Sequence, residues 1–291
     1  MRARQCGLLY IKYMKAIQVY LLYPLLWLVL PGAASVRAAE TGNWCALDEG
    51  LEIAQFSSVI DSPSVDTAVT IVRIDPAKWE MKLLGRQIND EPENLTAQQW
   101  CEKYDLVAAL NAGMFQQDFV THVGYLNAGG RIFARRVRSY QSAVAFGPRN
   151  DSMPQFRIFD LDKDSLGEIV RQYHSVCQNL RLISRARENK WSPQERRWTE
   201  VALGEDDLGR SLFIFCNRPM TMYDFNRMLL SLPIGLVAAQ HLEGGPEAQL
   251  YLNLGQTKIE RLGSFESGLS ESYESSFPYP IPNVIGVAKK K

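Results

Sequence analysis

Histidine is scarce in this 291-residue chain, with three, and cysteine is little more common, with five. No H-E-x-x-H helix can be built from them, and no C-x-x-C pair offers the spacing of a structural zinc site. A glycine-rich nucleotide loop and a G-x-S-x-G nucleophile turn are absent too, so the usual signatures of nucleotide chemistry and serine hydrolysis are missing. The sequence has no internal repeat and no low-complexity linker, and nothing beyond its first 38 residues is apolar enough to span a bilayer. It also lacks net charge, with 32 basic and 32 acidic residues.

What is present begins with Arg2, Arg4, Lys12 and Lys15, followed by an apolar run from Ile17 to Leu30 that Gln18 and Pro24 interrupt. Small residues follow, from Gly32 to Ser35 and then Val36-Arg37-Ala38. A basic region, an apolar core and a small-residue cleavage site form an export signal in that order. The apolar run is shorter than the roughly 20 residues a membrane-spanning helix needs. Cleavage is expected after Ala38, with Met14 an alternative start that gives a more usual signal length. No cysteine stands at the cleavage point to carry a lipid. The expectation is a secreted protein, periplasmic or extracellular, with no stable membrane anchor after cleavage.

The signal takes five basic residues and no acid with it, leaving 27 basic against 32 acidic, a net of −5. That balance argues against nucleic acid or an anionic membrane as a general partner. Cys6 leaves with the signal, and Cys45, Cys101, Cys177 and Cys216 remain. An even count in an oxidising compartment favours two disulfides, and four cysteines allow three pairings. Cys45–Cys101 with Cys177–Cys216 is preferred, because Cys177 opens one apolar run and Cys216 closes another.

Strand signals dominate. Val69–Asp75 reads as a strand closed by Asp75-Pro76, with Met81–Leu84 as its return partner. Leu106–Leu110, Ser142–Phe146, Phe156–Phe159, Gln178–Ser184, Val201–Leu203, Leu212–Cys216, Gly235–Leu242, Ala248–Leu254 and Asn283–Ala288 read likewise. Asn127-Ala128-Gly129-Gly130 between Val123–Leu126 and Arg131–Phe133 signals a hairpin. Thr96 caps a helix over Ala97–Tyr104, Asp164 one through His174, and Thr221 with Asp224 one running to about Leu232. Arg185–Thr199, polar and charged, reads as an exposed loop. The fold class is α+β: a strand-rich mixed-sheet core with about three helices in a single domain.

Two segments carry the chemistry. In each, a buried strand runs straight into polar residues and glycine: Ala108 to Phe115, and Ala239 to Ala248. Side chains alternate along a strand, so His241 and Glu243 share a face if the strand reaches that far. Glycines at a strand end permit close backbone approach to a ligand and free N–H groups to cradle an anion. On spacing alone, a tight turn with two solvated glutamates explains the second segment better.

The two segments resemble the signature motifs of the phosphodiester glycosidase family, in a bacterial exported branch. The first, close to N-G-G-F/M-F in the family, is Asn111-Ala112-Gly113-Met114-Phe115; the second, close to L-D-G-G-x-S, is Leu242-Glu243-Gly244-Gly245-Pro246-Glu247. The hairpin from Val123-Gly124-Tyr125 to Gly130 and the closing Pro280-Ile281-Pro282-Asn283 sit where the family carries such elements. The likeness spans roughly residues 65 to 287, leaving 1–38 as signal peptide and 39–64 as an N-terminal segment. Three positions depart from the family: Ala112 for glycine, Glu243 for aspartate and Glu247 for serine.

The resemblance implies a hydrolase that cleaves the bond from sugar C1 to phosphate in a sugar-1-phosphodiester or a related envelope glycoconjugate. Such chemistry needs carboxylates to stabilise an oxocarbenium-like transition state and to activate water, for which Glu243 comes first and Glu247 second. Asn111 and His241 complete the catalytic set. Gly113, His122, Gly244 and Gly245 are candidates for substrate binding, as are Arg136 and Arg138, which share a face if Arg131–Arg138 is extended and suit phosphate. No cofactor is firmly implied. Asp160, Asp162 and Asp164 could ligate calcium but lack the other ligands of a standard loop, and a solvated turn with a helix cap explains them better. The alternative reading is a non-catalytic periplasmic envelope protein that binds glycan or phosphate in the same cleft.

Overall fold

The structure is a computed structural model that describes residues 44–58, 67–264 and 277–290, all within one compact unit, Ala39–Lys291. The expected export signal lies outside the described residues. In chain order the elements begin with β1 (Cys45–Asp48), β2 (Leu51–Ser58), β3 (Thr67–Ile74), β4 (Trp79–Gly85), α1 (Ala97–Tyr104), β5 (Ala108–Asn111), β6 (Leu126–Ala128) and β7 (Arg131–Ala134). Next come β8 (Ser142–Pro148), β9 (Phe156–Asp160), α2 (Leu166–Gln172), β10 (Tyr173–Asn179), β11 (Arg181–Ile183), β12 (Trp198–Asp206) and β13 (Ser211–Met220). The chain closes with α3 (Met222–Ser231), β14 (Leu236–Gly244), β15 (Gln249–Leu254), β16 (Thr257–Leu262) and β17 (Asn283–Lys289).

The strands form three antiparallel sheets, ordered β1-β2-β3-β13-β12-β14-β11, β7-β6-β10-β8-β9 and β16-β15-β5-β17-β4. One face of each sheet meets a shared core, to which Val72, Leu203 and Phe213 come from the first, Val144, Phe146 and Ile158 from the second, and Leu110, Leu250 and Ile285 from the third. Each outer face is covered by one helix. Met222, Phe225 and Leu229 of α3 pack on Ile71, Ala202 and Ile214; Trp100 of α1 packs with Ala109 and Tyr251; Leu166 and Ile169 of α2 pack with Ala143, Ala145 and Val176. Strands buried on both faces read as continuous apolar runs rather than alternations. That is why Ala108–Leu110 and Ala143–Phe146 stand out in the sequence.

Local chemistry sets several boundaries. Thr96 and Gln99 form a reciprocal capping box at the start of α1, with Thr96 Oγ1 accepting from Gln99 N at 3.2 Å and Gln99 Oε1 accepting from Thr96 N at 2.9 Å. Thr221 Oγ1 accepts from Asp224 N at 3.1 Å at the start of α3. Ala128 pairs with Arg131 around Gly129-Gly130, whose φ angles of 62° and 90° suit the tight hairpin turn that β-strand twist favours.

The structure corrects several expectations. β4 pairs with β17 in the third sheet and not with β3, whose neighbours are β2 and β13. β1, β2 and β16 were not read from the sequence, and Leu51 and Ile53 of β2 lie in the shared core. The expected helix to His174 ends at Gln172, because Tyr173 and His174 already belong to β10.

Both expected disulfides are also corrected, since all four described cysteines are free. Cys177 faces the shared core, whereas Cys216 faces the cluster beneath α3, with its thiol on Arg218 O and Met220 Sδ. The first sheet's two faces therefore part them. Cys101 is buried beneath α1, while Cys45 is exposed on the edge strand β1.

Candidate functional site

The second sequence segment ends β14, and its geometry turns on a bulge. Val201 of β12 pairs with Glu243 while Ala202 pairs with His241, so Leu242 is an extra residue without a partner. A bulge of this kind re-aims the side chains around it. Leu242 enters the shared core, and His241 and Glu243 both line a cavity of about 440 Å³. Glu247, on a 3-10 turn over Gly245–Glu247, lines the same cavity, as do Gly244, Met114, Phe115, Leu180, Trp191, Trp198 and Arg196.

His241 is anchored from below. Its Nδ1 lies 2.5 Å from Oε1 of the fully buried Glu200, whose Oε2 accepts from Trp198 Nε1 at 2.8 Å. Burial disfavours a charged ring, yet the adjoining Glu200 carboxylate outweighs it and raises the His241 pKa. Burial likewise raises Glu200. With Nδ1 engaged, Nε2 is the ring nitrogen available to the cavity. Glu243 is pushed up to about 7, chiefly by burial, with the nearby Glu247 and Glu200 charges adding to it and His241 opposing it. Tyr140 is raised too, first by burial and then by the charge of Glu243.

Asn111 was expected to face substrate, but its side chain is buried and committed to backbone. Its Nδ2 donates to Glu247 O at 2.9 Å and its Oδ1 accepts from Gln249 N at 2.7 Å. It therefore ties the end of β5 to the turn that carries Glu247. His122 does not line the cavity either: its Nε2 meets Gln178 O at 3.1 Å, and burial pushes its pKa down to about 4. Gly113, with φ +156°, is packed so closely on His122 and Asn179 that a Cβ would overlap both. Gly245, with φ +73°, is buried, and its carbonyl accepts from Ala248 N at 3.1 Å. Gly244 lines the cavity, and a Cβ there would overlap the Trp198 indole.

Arg136 and Arg138 are exposed and away from the cavity, because β7 stops at Ala134 and the extended run expected through Arg138 does not form. Buried Gln178 instead gathers that segment by accepting from Tyr125 N and Val137 N and donating to Val137 O and Tyr140 O. The cavity's guanidinium is Arg196, from the segment read as a solvent loop. Glu200, Trp191, Trp198 and Tyr140 were missed as well. A signal existed for Glu200, a carboxylate directly before the apolar run Val201-Ala202-Leu203.

The acidic alternation is spent on arginine. Asp160 and Asp162 pair with Arg181 at 3.3 and 2.7 Å, and Asp164 accepts from Asp160 N at 3.1 Å. Among the described residues, no group of three or more His, Cys, Asp or Glu is placed to hold a metal ion. A larger cleft of about 610 Å³ lies between β4 and the β6–β7 hairpin, but Glu80 is its one lining carboxylate and pairs with Lys82.

Residues 104–288 match the family model described as phosphodiester glycosidase. The fold is similar to the catalytic domain of zebrafish N-acetylglucosamine-1-phosphodiester alpha-N-acetylglucosaminidase auto-inhibited by its pro-peptide. That match has a TM-score of 0.58 at 14% identity and covers 84% of this chain and 86% of that one. A hypothetical protein from Synechocystis is similar at a TM-score of 0.55 and 14% identity, over 87% of this chain and 64% of that one. No curated protein matches the sequence.

Proposed function

This chain belongs to the phosphodiester glycosidase family, and on that premise we propose that it is an exported hydrolase that cleaves sugar-1-phosphodiesters or related envelope glycoconjugates. The observation that carries the proposal is the convergence of Glu243, His241 and Glu247 on one cavity, with Glu243 held near neutrality. Buried groups with displaced pKa values in a cleft are what acid–base catalysis requires.

Hydrolysis here breaks the bond from sugar C1 to the phosphate oxygen and joins C1 to the oxygen of water. The departing phosphomonoester has a conjugate acid of pKa about 6. It leaves readily without a proton, so the harder task is activating water. Glu243 takes that task as base: it ionises at about 7, removes the water proton as the C1–O bond forms, and passes it to solvent or product. His241, whose pKa the Glu200 carboxylate raises, offsets in its charged form the negative charge that Glu243 then carries. Glu247 supplies a second carboxylate for the positive charge that develops at C1.

The test is incubation of the mature protein, Ala39 to Lys291, with a panel of sugar-1-phosphodiesters beside the Glu243→Gln variant. Release of free sugar by the wild type alone, with a folded variant, supports the reading. Equal release by both removes Glu243 from the mechanism, and no release from any member favours a glycan- or phosphate-binding protein.

A further inference from the structure

Residues 192–197 bridge two indoles fixed at the cavity wall. Trp191 Nε1 donates to Arg181 O at 2.9 Å and its backbone N–H to Asn189 Oδ1 at 3.0 Å. Asn189 is held in turn by Asn226 Nδ2 of α3 at 2.8 Å. At the other end, Trp198 pairs with Met220 and donates to Glu200. An exposed segment pinned at both ends by buried partners presents its intervening side chains in one place.

Arg196 is the side chain so presented. Its guanidinium lies 5.8 Å from the Trp198 ring centroid and lines the cavity. It makes no hydrogen bond or ion pair with any described residue, although Glu243 and Glu247 line the same cavity. By contrast, Arg73, Arg181, Arg185 and Arg210 are all committed to carboxylates. A guanidinium within cation–π reach of an indole and without a carboxylate partner keeps its N–H fork free for a planar or tetrahedral anion, and phosphate fits that fork in bidentate fashion. The indoles of Trp191 and Trp198, which line the same cavity, suit the C–H face of a pyranose.

We infer that Arg196 reads the substrate's phosphate, so the site selects a sugar carrying a charged phosphate at C1 over the same sugar without it. The sugar lies on the tryptophan wall, with C1 toward Glu243 and its phosphate at the mouth. The inference rests on the hydrolase reading for its geometry but makes a claim about binding that stands apart from turnover.

Calorimetric binding of N-acetylglucosamine 1-phosphate and of N-acetylglucosamine provides the test, on the wild type and on Arg196→Ala, Arg196→Lys and Arg136→Ala. The expected result is a preference of about 10- to 100-fold for the phosphate, as for hydrogen bonds to charged groups. That preference should vanish in Arg196→Ala, return in part in Arg196→Lys and survive in Arg136→Ala. Arg196-dependent binding without turnover of any diester upholds the inference and overturns the hydrolase. Turnover with the preference intact in Arg196→Ala overturns the inference and leaves the hydrolase standing. Absence of binding by either sugar overturns the inference too.

Discussion

His241 Nδ1 sits 2.5 Å from Glu200 Oε1 on the neighbouring strand, a buried contact between residues 41 apart in sequence. The same carboxylate holds the Trp198 indole. One side chain thus sets two walls of the cavity, the charged one and the aromatic one.

Glu200→Gln should be costly on both counts. Removing one partner of a buried charge pair destabilises by about 3–5 kcal/mol. The His241 pKa, raised by Glu200, should fall, so any activity that needs the charged ring should be lost at a lower pH than in the wild type. Denaturant titration gives the first effect and a pH–rate profile the second. An unmoved profile would assign Glu200 a structural role alone.

Glu243 stores a cost that can be measured. Its folded pKa of about 7 lies above the ordinary glutamate value of 4.5, so the folded state binds the proton more tightly and stability falls as pH rises between those values. Glu243→Gln removes that fall. The variant should match the wild type near pH 4 and exceed it by ~1–3 kcal/mol above pH 7. Thermal melts at the two pH values decide the matter, and a wild type that is no less stable at the higher pH contradicts the shift.

Gly244 is required by its neighbour. A Cβ at this position would overlap the Trp198 indole. Gly244→Ala should therefore displace Trp198 from Glu200, alter tryptophan fluorescence and lower kcat/KM by about 10-fold or more, in keeping with a misplaced site. Gly167→Ala, in α2 with only Ser165 Oγ at 3.7 Å from its Cβ and no left-handed φ, serves as the control whose catalysis stays unchanged.

The cysteines give a prediction independent of function. In the folded protein a thiol reagent should modify Cys45 quickly and leave Cys101, Cys177 and Cys216 unmodified, since only Cys45 is exposed. Burial also pushes the Cys177 and Cys216 thiols up to about 12, away from the reactive thiolate. All four should react after unfolding without reductant. Titrating fewer than four there would restore a disulfide.

Much of the fold is legible locally. Thr96 and Gln99 announce α1 three residues apart, Gly129-Gly130 announces its hairpin, and the apolar runs of β5, β8 and β13 announce doubly buried strands. What could not be read is pairing. β4 follows β3 closely, and a hairpin is the economical guess, yet β4 joins β17, about 200 residues on, because its apolar residues fit the shared core from the third sheet. β16 escaped notice because Thr257–Leu262 alternates with Lys, Glu and Arg along an exposed edge.

The sequence by itself determined the strand-rich α+β class, the caps of α1 and α3, and the glycine-bearing segment that brings His241, Glu243 and Glu247 forward. Those are consequences of short-range sterics, burial and hydrogen bonding, which residues a few positions apart express. Tertiary structure alone decided that Asn111 braces the turn instead of facing the cavity, that His122 is buried behind it, and that Arg196 stands at its mouth while Arg136 and Arg138 do not. It also decided that Glu200 sits beneath His241, because a one-residue bulge at Leu242 sets which side chains of two distant strands meet.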